Sequence, residues 1–220
     1  FRVFQEFGKW ESLSGIEKAA HLNRSVKEKN EDDVVKICEA LHEKRIVGIA
    51  DTITRKKNKY RLILIAGPSS SGKTTFTKRL RIQLKVNGLD PFTMSMDDYF
   101  LDREHTPLDD EGKPDFESPG AVNIDRLNSD LKNLLKGKEV RIPRFDFKRG
   151  RGTEGPAVRL SSRQTIIMEG IHGLHESLTS EIPGRKKLKI YVSALTQMNV
   201  TDHIRVPTSD IRLLRRLIRD

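Results

Sequence analysis

The chain has 220 residues, with 41 Lys and Arg against 31 Asp and Glu, which gives a formal net charge of +10. This length suits one ordinary domain with a small appendage, and no run approaches the ~18 consecutive apolar residues of a membrane span. Cys38 is the only cysteine, so an internal disulfide is excluded, as suits a cytoplasmic protein. The positive excess fits either a nucleic-acid partner or phosphorylated substrates.

The first 59 residues have a helical pattern and no strong strand signal. Between residues 32 and 55, apolar side chains recur at three- and four-residue steps, which predicts one amphipathic helix. The basic run at residues 55–59 predicts a solvated hinge. We therefore expect a helical extension at residues 1–59, the tail of an upstream domain, and a second domain at residues 60–220.

From residue 60 onward, short apolar runs alternate with helical stretches. The predicted strands are residues 61–66, 91–96, 165–168 and 188–192, and the predicted helices are 74–86, 125–136 and 209–220. The runs at 61–66, 165–168 and 188–192 are apolar enough for strands buried on both faces. This alternation predicts an α/β fold of three layers around a mostly parallel sheet.

Residues 67–75, GPSSSGKTT, match the phosphate-loop pattern G-x-x-x-x-G-K-S/T between a predicted strand and a predicted helix. The glycines let successive amides converge on phosphate oxygens at a helix N-terminus. We expect Lys73 to reach the β- and γ-phosphates, Thr74 to ligate Mg²⁺ and Thr75 to lie near the α-phosphate. The predicted nucleotide-binding residues are Gly67, Ser69, Ser70, Ser71, Gly72, Lys73, Thr74 and Thr75.

Carboxylates follow two of the predicted strands. Asp97 and Asp98 come after the second strand, at the sheet edge where α/β proteins bind ligands, and one of them can accept the proton of an attacking hydroxyl. Glu169 ends a strand that we expect beside the phosphate-loop strand, where it can hold Mg²⁺ directly or through water. The simpler alternative for Asp97 and Asp98 is a polar strand end that caps the next turn. The simpler alternative for Glu169 is a structural ion pair with a lysine.

Arginines recur at helical spacing near the end of the sequence, at Arg212, Arg215, Arg216 and Arg219. Guanidinium groups that share a helix face repel one another unless an anion lies between them, so a phosphoryl group in transfer fits this face. A solvated basic helix is the alternative.

Six motifs in order resemble the uridine kinase / phosphoribulokinase family of P-loop kinases. They are GPSSSGKTT at 67–75, Asp-x-aromatic at 97–99, FESPGA at 116–121, IPRFDF at 142–147, IIMEGI at 166–171 and DIRLLRRLIRD at 210–220. The resemblance covers residues 61–220 and implies an ATP- and Mg²⁺-dependent kinase whose small-molecule acceptor is a nucleoside. It makes Asp97 the general base, with Lys73, Arg216 and Arg219 also catalytic, and implies that a lid follows Asp220. The substrate-binding residues are then Asp98, Tyr99, Glu117, Phe145 and Arg151.

The chain departs from the family pattern in the substrate half. Glu117 replaces an aspartate, Phe145 replaces a tyrosine, and Gly150 falls where a histidine is expected. A basic cluster of Arg144, Lys148, Arg149 and Arg151 surrounds that position, so a family kinase acting on a phosphorylated sugar stays an alternative.

A further alternative is an ATP-hydrolysing or ATP-sensing RNA-associated factor. The N-terminal region resembles the tail of the threonyl-tRNA-synthetase-like extension of larger uridine-kinase-like proteins, and the chain is basic. A nucleic-acid partner is therefore less favoured than a small molecule but open, as is a homo-oligomer; no membrane partner is expected.

Overall fold

The computed structural model of the protein describes residues 2–56, 59–161, 164–193, 199–201 and 203–219. The helices are α1 (Arg2–Ser14), α2 (Ala19–Lys27), α3 (Glu31–Arg55), α4 (Lys73–Val86), α5 (Ile124–Leu135) and α6 (Thr208–Arg219). The strands are β1 (Leu62–Ala66), β2 (Phe92–Ser95), β3 (Glu139–Asp146), β4 (Arg151–Arg159), β5 (Ile166–Glu169) and β6 (Lys187–Tyr191). All seven predicted strands and helices from residue 60 onward are present, within one or two residues at most ends.

The main sheet of the described residues has four parallel strands in the order β2-β5-β1-β6. Strand β1 is buried along its whole length because it has a neighbour on each side and consists of LILIA. The α/β fold with a mostly parallel sheet is thus confirmed. Its carboxyl edge brings together the ends of β1, β2 and β5, which are the segments that carry the predicted site.

Strand β6 corrects one expectation. Residues 188–192 were predicted to form a buried strand, but β6 lies at one end of the described strand order and its residues are half-buried or exposed. Lys187 and Lys189 alternate with its apolar residues, and the strand therefore has the composition of a sheet edge rather than of a centre.

The antiparallel hairpin β3–β4 was missed from the sequence. Pro143 lies within β3, where the register shifts between Arg141 and Pro143, and a proline normally weakens a strand prediction. Gly155 in β4 is required because a methyl group there would overlap the carbonyl oxygen of Ile142. Strand β4 has three charged residues and two glycines among its nine and is mostly exposed, so it lacks the apolar alternation that predicts strands.

Residue contacts divide the chain into two compact units, one of residues 1–49 and 193–220 and one of residues 50–192. Helix α3 occupies the predicted helical stretch, while residues 57 and 58 of the predicted hinge lie outside the described residues. The domain boundary after residue 59 stays a prediction. No helix in the described part of the chain is long and apolar enough to span a membrane.

Candidate functional site

The phosphate-loop segment connects the end of β1 to the start of α4. A methyl group at Gly67 would overlap the carbonyl oxygen of Val192, which follows β6, so only glycine fits there. Two further residues of the loop have left-handed backbone, Gly72 with φ 95° and Ser70 with φ 58°. This backbone wraps the loop around the N-terminus of α4, the geometry that presents amides to an anion.

Lys73 and Ser71 line the inside of this turn. The Lys73 Nζ donates a hydrogen bond to the Pro68 carbonyl oxygen at 3.2 Å, and the Ser71 amide donates to the same oxygen at 3.2 Å. The Ser71 hydroxyl is buried without a hydrogen-bond partner among the described residues. An orphaned hydroxyl inside a loop of this shape suits a phosphate oxygen, so the residues present fit a nucleotide phosphate.

The expected metal-binding pair is adjacent. Parallel pairing places Glu169 of β5 opposite Ile65 of β1, and the Thr74 hydroxyl lies 3.1 Å from both Glu169 carboxylate oxygens. Mg²⁺ in phosphate sites is bound by one or two such oxygen donors and completes its shell with phosphates and water. This donor set fits Mg²⁺, although the described residues contain no cluster of three or more His, Cys, Asp or Glu able to hold a metal alone.

Asp97 begins a 3₁₀ turn, Asp97–Tyr99, directly after β2. Burial raises the pKa of its carboxyl above the ordinary value, and the negative charges of Glu169 and Asp98 raise it further, while Lys73 lowers it. The carboxylate thus lies within electrostatic reach of both the loop lysine and the expected metal-binding acid. A carboxylate with a raised pKa is a stronger proton acceptor than a free aspartate.

Asp98, predicted to bind substrate, is engaged within the protein. Its carboxylate accepts hydrogen bonds from Arg144 Nη1 at 3.1 Å and from the Phe145 amide at 3.4 Å. The side chain is 14% exposed. Asp98 therefore ties the turn after β2 to strand β3, and its carboxylate is largely shielded from solvent.

Tyr99 and Phe145, also predicted to bind substrate, lie in the apolar core. Tyr99 is 1% exposed, and its hydroxyl donates to the Asp130 carboxylate of α5 at 3.2 Å. Phe145 is 8% exposed and lies in the same apolar cluster. Both rings are enclosed by protein in this structure, and direct substrate contact stays a prediction for both.

An aromatic cluster, which sequence reasoning did not single out, comprises Phe100, Phe116, Phe145 and Phe147. Neighbouring rings meet edge to face with centroids 5.1–6.0 Å apart. Phe147 is 55% exposed although the rings of Phe100 and Phe145 pack against it. The alternation of β3 could have found it, because Phe147 follows that strand two positions after buried Phe145.

The remaining substrate-side residues are on the surface. Glu117 is exposed, and Arg151 lies 3.7 Å from Glu104. Arg149 lies 3.7 Å from Asp146, so these members of the predicted basic cluster each have an acidic neighbour. The cluster does not form one concentrated anion site.

The predicted arginines lie on α6, in the unit of residues 1–49 and 193–220. Arg216 is exposed, and the Arg219 side chain lies outside the described residues. Thr75 is exposed in the first turn of α4. The roles of these three residues stay predictions.

The parallel sheet, the glycine loop and the Lys-Thr start of α4 define a P-loop protein. The sequence profile of the Phosphoribulokinase / Uridine kinase family matches residues 62–220. The uridine kinase of Macrococcus caseolyticus strain JCSC5402 is 30% identical over 163 residues, which are 74% of this chain and 70% of that protein. The uridine kinase of Staphylococcus aureus strain JH9 is 31% identical over 159 residues, 72% of this chain and 68% of that one.

Among solved structures, a possible uridine kinase from Bacillus stearothermophilus superposes with a TM-score of 0.51 at 20% identity, over 77% of this chain and 93% of that one. This similarity supports the fold. The chain belongs to the phosphoribulokinase / uridine kinase family, a family of kinases, and the resemblance drawn from its six motifs is confirmed.

Proposed function

We propose that the protein transfers the γ-phosphoryl group of ATP, with Mg²⁺, to a hydroxyl group of a nucleoside. The observation that carries this proposal is the position of Asp97, a half-buried carboxylate whose pKa is raised by burial and which interacts with the charges of Lys73 and Glu169. An acid that interacts with the phosphate-loop lysine and with a metal-binding carboxylate can act on a hydroxyl that attacks phosphorus.

In this proposal each group of site residues has a separate role in phosphoryl transfer. The loop and the N-terminus of α4 bind the donor phosphates, and Lys73 neutralises charge on them. Thr74 and Glu169 hold Mg²⁺, which supplies electrostatic stabilisation of the phosphates when bound. Asp97 accepts the proton of the acceptor hydroxyl. Arg216 and Arg219 are proposed to stabilise the charge in transfer.

A nucleoside is favoured as acceptor by the exposed ring of Phe147 on the aromatic cluster. A flat base gains stacking energy on such a ring, of about 1–3 kcal/mol per base. The cluster is joined to the site by a short backbone path, since the Phe100 amide donates to the Asp97 carbonyl oxygen. The two curated relatives named uridine kinase point to the same substrate class. The cytoplasmic location and the homo-oligomer stay predictions.

The test is ADP release over a panel of nucleosides, sugars and sugar phosphates, followed by the variant Asp97→Asn. We expect a nucleoside to be the best acceptor and the variant to lose about 10²–10⁴-fold in kcat, because the amide cannot accept the proton. ATP affinity, measured by titration calorimetry, should stay unchanged.

Asp110→Asn is the matched control, because it makes the same chemical change at an exposed loop position. Full turnover by Asp97→Asn would show that another group is the base. A sugar phosphate as the best acceptor would overturn the nucleoside assignment.

A further inference from the structure

A groove runs along α4 beside the edge strand β2. It has a volume of about 680 Å³, and we call it the α4–β2 groove, after its lining residues Thr77, Lys78, Arg81, Lys85, Thr93 and Arg144. Thr74, Glu169 and Asp98 close the end nearest the phosphate loop. Asp97 is not among its lining residues.

The groove leads away from the catalytic edge. Helix α4 begins at the carboxyl ends of the parallel strands and runs back along them, and the groove extends from Thr74 to Lys85. Eleven residues of α-helix span about 16 Å at ~1.5 Å each. The part of the groove around Lys78 and Arg81 begins four residues, about 6 Å, beyond Thr74. Neither the loop lysine, Lys73, nor the proposed base, Asp97, lines the groove.

The lining of the groove has an excess of positive charge. Four basic side chains face two acidic ones, Asp98 and Glu169. Lys85 pairs with Asp90 at 3.1 Å, and Arg144 pairs with Asp98 at 3.1 Å. For Lys78 and Arg81 the described residues provide no acidic partner. Like charges three residues apart on a helix destabilise it slightly, so this pair favours a bound anion.

A buried hydroxyl group points to the same conclusion. Thr77 is 6% exposed, and its Oγ1 has no hydrogen-bond partner among the described residues. It lines the groove next to Lys78 and one turn before Arg81. A buried hydroxyl without a partner is destabilising, and an anionic oxygen in the groove would satisfy it.

We propose that the α4–β2 groove binds a small phosphorylated molecule, at a site separate from those of the phosphate donor and the acceptor hydroxyl. The phosphate lies between Lys78 and Arg81 and accepts a hydrogen bond from the Thr77 hydroxyl. The volume falls within the ~300–1,000 Å³ of small-molecule pockets, and Ile82 and Met94 supply apolar contact for the rest of the ligand. This site goes beyond the proposed transfer reaction, and it is tested by binding alone.

The experiment is equilibrium dialysis of the whole protein against ³²P-labelled pyrophosphate. A saturating non-hydrolysable ATP analogue occupies the phosphate loop, and Mg²⁺ is kept in excess over total phosphate. We expect one further pyrophosphate site per chain, and we expect Lys78→Gln/Arg81→Gln to bind at least about tenfold more weakly, because two charge-assisted hydrogen bonds are lost.

The matched control is Lys136→Gln/Lys138→Gln, which removes the same charge from the exposed turn after α5 and should bind as the parent does. Thr77→Val is a second variant that keeps every charge and removes only the hydroxyl, and we expect weaker binding there too. The proposal would be overturned if the parent protein bound no additional pyrophosphate. It would also be overturned if Lys78→Gln/Arg81→Gln and Lys136→Gln/Lys138→Gln weakened pyrophosphate binding equally. A kinase test that fails leaves this binding result standing, and the reverse also holds.

Discussion

At the residue scale, two adjacent carboxylates are held in different environments. Burial raises the pKa of Asp97, whereas the Asp98 carboxylate accepts hydrogen bonds from Arg144 and from the Phe145 amide. The negative charge of Asp98 is one of the causes that raise the pKa of Asp97. Asp98 therefore acts on the proposed base through charge, as a positioning and tuning residue.

This arrangement predicts the pH profile of Asp98→Asn. The base must be deprotonated, so kcat/KM falls as the pH falls through the raised pKa of Asp97, above the range of a free aspartate. Removing the neighbouring negative charge lowers that pKa, and we expect the acidic limb of the profile to move to lower pH. The measurement is kcat/KM against pH, with Asp110→Asn as the charge-matched control. A limb that stays in place would show that the two carboxyls are not coupled.

At the element scale, the turn after β2 is fastened to two other elements. Tyr99 reaches Asp130 of α5, and Asp98 reaches Arg144 of β3. Burial of Tyr99 and the adjacent negative charge of Asp130 raise the pKa of its hydroxyl, which therefore stays protonated as a donor. The turn that carries the base is thus held in place by α5 and β3.

Tyr99→Phe tests this structural role. The change removes the hydrogen bond but keeps the ring, so we expect the free energy of unfolding to fall by about 1–3 kcal/mol, with KM for the acceptor unchanged. Urea denaturation followed by circular dichroism gives the first quantity, and steady-state kinetics gives the second. A raised KM for the acceptor at unchanged stability would favour the prediction that Tyr99 contacts the substrate.

Sequence patterns predicted the parts of this fold that depend on local signals. The run LILIA, the glycine loop and the acid that ends β5 could be read directly, since burial and turn chemistry are encoded there residue by residue. The burial of Tyr99 could not be predicted from the sequence, because its hydrogen-bond partner Asp130 is 31 positions away. The β3–β4 hairpin is a local pairing, but Pro143 and the exposed, weakly apolar β4 hide its alternation. The α4–β2 groove depends on packing between separate elements, for which a single sequence has no periodic signal.

At the scale of the whole molecule, the net charge is +10, but several of the lysines and arginines form local ion pairs with acidic residues. Arg126 pairs with Glu154 at 2.7 Å, Lys132 pairs with Glu181 at 2.7 Å, and Lys187 and Lys189 both bind Glu176. The largest local excess of positive charge described above lies in the α4–β2 groove, which four basic and two acidic residues line. A groove of this size suits a small anion better than a long polyanion.

This distribution predicts weak RNA binding. A protein that makes ~6–10 phosphate contacts loses about 10³–10⁵-fold in affinity between 50 and 200 mM salt, and we expect a shallower loss here. The affinity for a labelled single-stranded RNA is measured by fluorescence anisotropy at both salt concentrations. A loss as steep as that range would favour the RNA-associated alternative over a small-molecule kinase.

The strand order of the sheet has a kinetic consequence. Strand β1 comes first along the chain, but its neighbours are β5 and β6, so that Leu62 must find Ile166 and Lys187 across more than 100 residues. Closing so long a loop costs entropy before the pairing gains stability, and folds dominated by such contacts fold slowly. The Val192 carbonyl lies against Gly67 at the start of the phosphate loop, so this contact forms only when β6, the last of these strands, has docked. The rate at which nucleotide binding appears during refolding would therefore report the rate at which β6 docks and the sheet is completed.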